Sequence, residues 1–263
     1  MTTSRDRLRQ WSVLLSAVIA IVGSFIGSGA AGGTPIQLAA GGALGADATP
    51  IAPAVPAFSI WAVIYTGLIA LAIWQFLPKY AADSRQRQLG FPVAASLILN
   101  AAWILSIQFD QLALSVPVIG LLLASLIWAF RICARSKPNG RLEGVIVDGT
   151  IGLYLGWVCV ATAANVTAYL VALGFRGAGV SADVWAVAII AVAGAVGVAL
   201  AIDGRGRISP ALSLSWGLAW VAVSRLTGTL ISLPAAVASI VAVVVILATT
   251  ITIRIVSGKA LPA

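Results

Sequence analysis

Tyr154-Leu-Gly-Trp157-Val-Cys-Val-Ala161-Thr-Ala-Ala-Asn165 lies inside an apolar run from about 145 to 173. A run of that length reads as a membrane-spanning helix, because about 20 apolar residues at 1.5 Å each cross the hydrocarbon core. At about 100° per residue, Tyr154, Ala161 and Asn165 fall within a few tens of degrees of one another, with Trp157 about 60° to one side. One face of the helix therefore carries a phenol, an indole, a small gap and a carboxamide. Lipid-facing positions rarely hold an amide, since burying one without a partner costs roughly 1–3 kcal/mol. Two readings follow and both stay open on this helix alone. The face is the wall of a binding cavity, or it is ordinary helix packing with Asn165 as polar glue to a neighbouring span.

The chain around this run has 263 residues, 60% of them hydrophobic and 9% charged, with a mean hydropathy of +1.05. Several runs near 20 apolar residues make it an all-α polytopic membrane protein whose first partner is the lipid bilayer. The chain has no histidine and only eight acidic residues, so neither a metal site nor a histidine-based catalytic triad is expected. Cys133 and Cys159 sit in or beside apolar runs and suggest no disulfide framework. The net charge of +8 says little about nucleic acid, because the positions of the charges matter more than their sum, and no nucleic-acid partner is expected.

Eight spans can be laid out, at about 11–31, 57–77, 91–109, 114–131, 145–173, 184–202, 210–224 and 230–253. Residues 1–11 form a basic N-terminus with Arg5, Arg7 and Arg9. The order of charge, apolar run and small residues also fits a secretory signal, but the run is long for one, and a retained first span is expected. Gly23 and Gly27 stand at the small-xxx-small spacing that permits close approach of another helix. The connector at 32–56 holds Pro35, Pro50, Pro53 and Pro56, lacks Lys and Arg, and is too broken for a helix. Phe58, Trp61 and Tyr65 open the second span within about 60° of arc, which by itself is the pattern of an interfacial belt. Asn100 and Trp103 share a face of the third span. Asp148 reads as a helix cap or interface charge, and Trp216 with Trp220 as packing or an interfacial anchor. Counted from a cytoplasmic N-terminus, only Arg176 and Arg225 of the 16 basic residues fall in outside segments. The positive-inside rule thus places both termini in the cytoplasm and the proline-rich connector outside, in a bacterial inner membrane.

Three segments taken together resemble the tryptophan-rich sensory protein (TspO, translocator protein or peripheral benzodiazepine receptor) family. They are Phe58-Ser-Ile-Trp61-Ala-Val-Ile-Tyr65, Leu99-Asn100-Ala-Ala-Trp103, and Tyr154-Leu-Gly-Trp157 with Asn165 eight residues beyond the Trp. The resemblance covers roughly 12–175 and implies a five-helix bundle there, with 176–263 as three additional spans. It further implies a pocket for a tetrapyrrole such as porphyrin or haem. The residues it assigns to that pocket are Phe58, Trp61 and Tyr65 on the second span, Asn100 and Trp103 on the third, and Tyr154, Trp157, Ala161 and Asn165 on the fifth. A homodimer is what the family implies, and no cofactor is required.

The side-chain chemistry agrees, since a flat aromatic macrocycle wants indole and phenol faces and a few amide hydrogen bonds in an apolar cleft. The leading expectation is therefore a ligand-binding or sensory membrane protein. A small-molecule transporter is the alternative, although neither an inverted pair of broken helices nor an intramembrane charge pair is visible. An enzyme ranks last: no nucleophile–base pair appears, and only light-dependent porphyrin breakdown through tryptophan would make it one.

Overall fold

Eight helices account for the apolar stretches in the computed structural model, which describes residues 2–259. Met1, at the start of the basic N-terminus, and 260–263, at the end of the added segment, lie outside the described residues. Helix α1 is Ser4–Gly27, α2 Ile60–Trp74, α3 Ser84–Gln108 and α4 Leu112–Arg135. The remaining four are α5 Arg141–Ala172, α6 Ala182–Asp203, α7 Ile208–Thr227 and α8 Leu233–Lys259. No strand occurs among the described residues. All except α7 are long and apolar enough to cross a membrane by length and composition, α2 together with the 3-10 turn Val55–Ser59 that leads into it, so the chain is an integral, multi-pass helical membrane protein.

Several helices start earlier than their hydropathy suggests, and capping explains two of them. Thr3 and Asp6 form a reciprocal capping box, with the Thr3 amide 2.8 Å from Asp6 Oδ2. This draws the basic N-terminus into α1. Asp83 caps α3 by accepting from the amides of Arg85 and Gln86 at 2.9 and 3.0 Å. Each cap satisfies amides that would otherwise lack partners.

The chain divides into two compact units. The first comprises the chain up to Pro35 together with Trp61–Ile151; the second comprises Ile36–Ile60 and the chain from Gly152 onward.

In the first unit α3 packs against both α1 and α4. The close approach expected at Gly23 and Gly27 is made with α3: a Cβ at Gly23 would stand 2.9 Å from Ala101 Cβ, and one at Gly27 2.8 Å from Ile104 Cγ1. Gly23→Val is accordingly expected to force the two helices apart at a cost of about 1–3 kcal/mol, read as a lowered melting temperature in detergent. An unchanged melting temperature would show that the contact gives way freely.

A buried ionic network closes one end of this unit. Arg85 donates through Nε to Ser136 Oγ at 2.8 Å, through Nη1 to Glu143 Oε1 at 3.0 Å, and through Nη2 to Asp148 Oδ1. Gln86 Nε2 and the Asn139 amide complete the Glu143 shell at 3.0 and 2.6 Å. Arg85, Glu143 and Asp148 are all buried. Asp148 is thus a buried partner of an arginine, where its position in the sequence suggests a cap. The backbone accommodates this: Gly144–Gly149 is a π-helical segment within α5. Residues five apart on an α-helix point about 140° from each other; the wider π turn brings them closer to one face, so Glu143 and Asp148 both reach one guanidinium.

In the second unit α6, α7 and α8 pack on one another, with Ile190, Leu214, Leu218 and Ile246 in the core. Small residues again set the spacing: Gly156 of α5 lies against Pro210 and Ser213 of α7, and Gly197 of α6 against Ile246 of α8. The connector is bound along α7. Trp216 Nε1 donates to the Ala57 carbonyl at 2.9 Å, the Ala54 amide to the Trp220 carbonyl at 3.1 Å, and Ser224 Oγ to the Ala46 carbonyl at 3.2 Å. The Trp216–Trp220 pair, edge to face at 5.6 Å, is therefore the platform on which the proline-rich segment rests.

Candidate ligand site

The nine residues assigned to a pocket form two groups, one in each unit. In the first unit, Trp61 stacks on Tyr65, with ring centroids 5.3 Å apart and planes 24° from parallel. The four-residue spacing on α2 places the two rings one above the other. Asn100 Nδ2 donates to the Tyr65 hydroxyl at 2.5 Å, and that hydroxyl also hydrogen-bonds Ser24 of α1. Asn100 is only 1% exposed, and its Oδ1 has no hydrogen-bond partner. Trp103 lies buried one turn further along α3.

A buried acceptor left unmet costs about 1–3 kcal/mol. Here it adjoins a stacked indole and phenol, so the group is equipped for a flat apolar molecule that brings a hydrogen-bond donor. Ser24 was not among the residues expected here. Its only signal in the sequence is a hydroxyl next to Gly23, where α1 packs against Ala101 of α3. Gln108 at the end of α3 adds a further tie: its amide donates to the Gly27 and Thr34 carbonyls at 3.1 and 3.0 Å and accepts from the Thr34 amide at 3.1 Å. This fixes the first residues of the connector.

In the second unit, Phe58 meets the Trp157 indole edge-on, with centroids 5.6 Å apart and planes at 77°. Tyr154, Trp157 and Asn165 are buried, and Ala161 between them is half-buried. Trp157 is thus turned into the protein, while Phe58 is half-buried. A separate crevice is lined by the apolar side chains of Ile51, Val160, Ile190, Leu218 and Val221.

The chain is a polytopic helical membrane protein with buried aromatic rings and carboxamides and an unmet buried acceptor. A family model described as TSPO-like protein matches residues 12–251, and the chain belongs to that family. The match runs past 175 into α8, beyond the five-helix segment that the motifs mark. No curated protein and no solved structure matches the chain. Family membership suggests a membrane ligand-binding or sensory protein.

Proposed function

We propose that the protein binds a porphyrin-like tetrapyrrole or a similar flat, hydrophobic ligand within the membrane, and acts as a receptor or sensor for it. One observation carries this reading: Asn100 Oδ1 is buried and unmet beside the Trp61–Tyr65 stack. Stacking on such rings contributes about 0.5–1.5 kcal/mol beyond burial, and a donor on the ligand would relieve the acceptor. Trp103 is a further contact residue of this group on the same reading, and the resemblance assigns Phe58, Tyr154, Trp157, Ala161 and Asn165, in the second unit, to ligand binding as well.

Titrating the purified protein with protoporphyrin should quench its tryptophan fluorescence saturably. Asn100→Leu should weaken binding by about tenfold, the loss of one buried hydrogen bond. Unsaturable partitioning, identical in the variant, would remove the proposal. Counterflow of labelled porphyrin in vesicles would instead identify a permease. Loss of porphyrin absorbance in light, abolished by Trp157→Phe, would identify turnover.

The same reading sets the protein in a bacterial inner membrane with both termini cytoplasmic and the connector outside. A reporter fused at residue 40 should accordingly be active only as an external fusion. A cytoplasmic signal there would reverse the orientation.

A further inference from the structure

Arg225 ends α7 in the second unit with 0% of its surface exposed. Its Nη2 donates to the Ala46 carbonyl and, at 2.7 Å, to Ser224 Oγ. Nε and Nη1 have no acceptor, and no described carboxylate comes within the 4.0 Å of an ion pair. The two carboxylates in this part of the unit are engaged elsewhere. Asp47, exposed on the connector, accepts from Thr229 Oγ1 at 3.2 Å, and Asp183 of α6 accepts from Ser232 Oγ at 2.6 Å. Ser232 also leads into α8, whose first amides add positive potential.

A guanidinium cannot escape this setting by losing its proton. A buried charge hydrogen-bonded only to neutral acceptors, with Asp47 acting on it from beyond ion-pair distance, is one of the costlier arrangements in a protein interior. The unmet groups are all donors, and they surround a positive charge. The partner they suit is an anion with lone pairs to accept from them.

We infer that the free edge of Arg225 binds the carboxylate of an amphipathic molecule dissolved in the membrane. Full burial argues against a hydrated inorganic ion, which would have to shed its water shell. An acid head on an apolar body arrives from lipid already partly dehydrated, and a planar carboxylate matches the planar guanidinium. Ala46 and Ser224, which hold Nη2, tie the head-group site to the connector. The connector would therefore lie over the bound acid, and α7 supplies both the cation and the platform beneath it. This assigns to the last three helices a part in ligand selection. It rests on the reading that the protein takes hydrophobic ligands, and it narrows them to acidic ones.

The test uses the full chain in phosphatidylcholine nanodiscs with two matched probe pairs: protoporphyrin against its dimethyl ester, and dodecanoate against dodecanol. The wild type should bind each acid at least about tenfold more tightly than its neutral mate. Arg225→Gln should erase that preference while leaving the neutral probes' affinity unchanged, and Arg225→Lys should restore part of it. Without ligand, Arg225→Gln should melt no lower than the wild type, because it removes an uncompensated charge. Equal binding of acid and neutral probes by the wild type overturns the proposal. So does an Arg225→Gln variant that loses both probes alike, or an Asp47→Asn variant that reproduces every effect of Arg225→Gln, which would make Asp47 the counter-ion. If neither porphyrin saturates, the tetrapyrrole reading falls, and the dodecanoate–dodecanol pair alone decides this one.

Discussion

Arg85→Ala should lower the stability of the protein by about 3–5 kcal/mol, the cost of leaving two buried carboxylates without their cation. Arg85 serves Ser136, Glu143 and Asp148 at once, so no single neighbour can replace it. Replacing all three charged members by neutral side chains of similar size, as Arg85→Met with Glu143→Gln and Asp148→Asn, should cost much less than Arg85→Ala alone. In the triple variant no charge is left stranded. Thermal unfolding in detergent, followed by circular dichroism, compares the two. A triple variant as unstable as Arg85→Ala would mean that packing, and not charge balance, governs this end of α5. The same substitution bears on the backbone: once the guanidinium is gone, nothing requires Glu143 and Asp148 to share a face, and the π segment at Gly144–Gly149 loses its reason to persist.

Trp157→Ala is expected to cost about 3–5 kcal/mol, the range for deleting a large buried aromatic side chain. Trp157 is among the largest fully buried side chains and packs edge-on with Phe58, so the void would open between α5 and the turn ahead of α2. Trp157→Phe should retain most of that stability, since it conserves the ring contact and leaves a smaller void. It should still reduce the saturable fluorescence change on adding protoporphyrin. Comparing melting temperature with quenching separates the two roles. If Trp157→Phe melts and quenches like the wild type, the indole is packing and has no part in ligand binding.

The helical membrane character was legible from the chain because apolar run length is a one-dimensional quantity. Runs near 20 residues separated by charged or glycine-rich breaks dictate spans whatever their partners. The close approach at Gly23 and Gly27 was legible for a similar reason, since spacing on a helix is fixed by its pitch. Helix starts were less so. Thr3 and Asp83 extend α1 and α3 through polar and charged residues, where a hydropathy pattern has no signal.

The candidate site was legible as residue types on faces. Trp61 and Tyr65 are four residues apart, so α-helical periodicity places them on one face, and there they stack. That Asn100 would spend its amide nitrogen on Tyr65 and leave its oxygen unmet depends on the separation and rotation of two helices. Ser24 enters the same cluster for that reason.

Sequence by itself determined the membrane, the helices and the aromatic and amide side chains available to a ligand, because hydrophobicity and helical pitch act locally along the chain. Tertiary structure alone decided which buried polar groups find partners. It joined Asp148 to Arg85, rested the connector on Trp216 and Trp220, and left Nε and Nη1 of Arg225 without an acceptor among the described residues. Hydrogen bonds and ion pairs act over about 3 Å, and only the packed chain brings residues that are distant in sequence to that range.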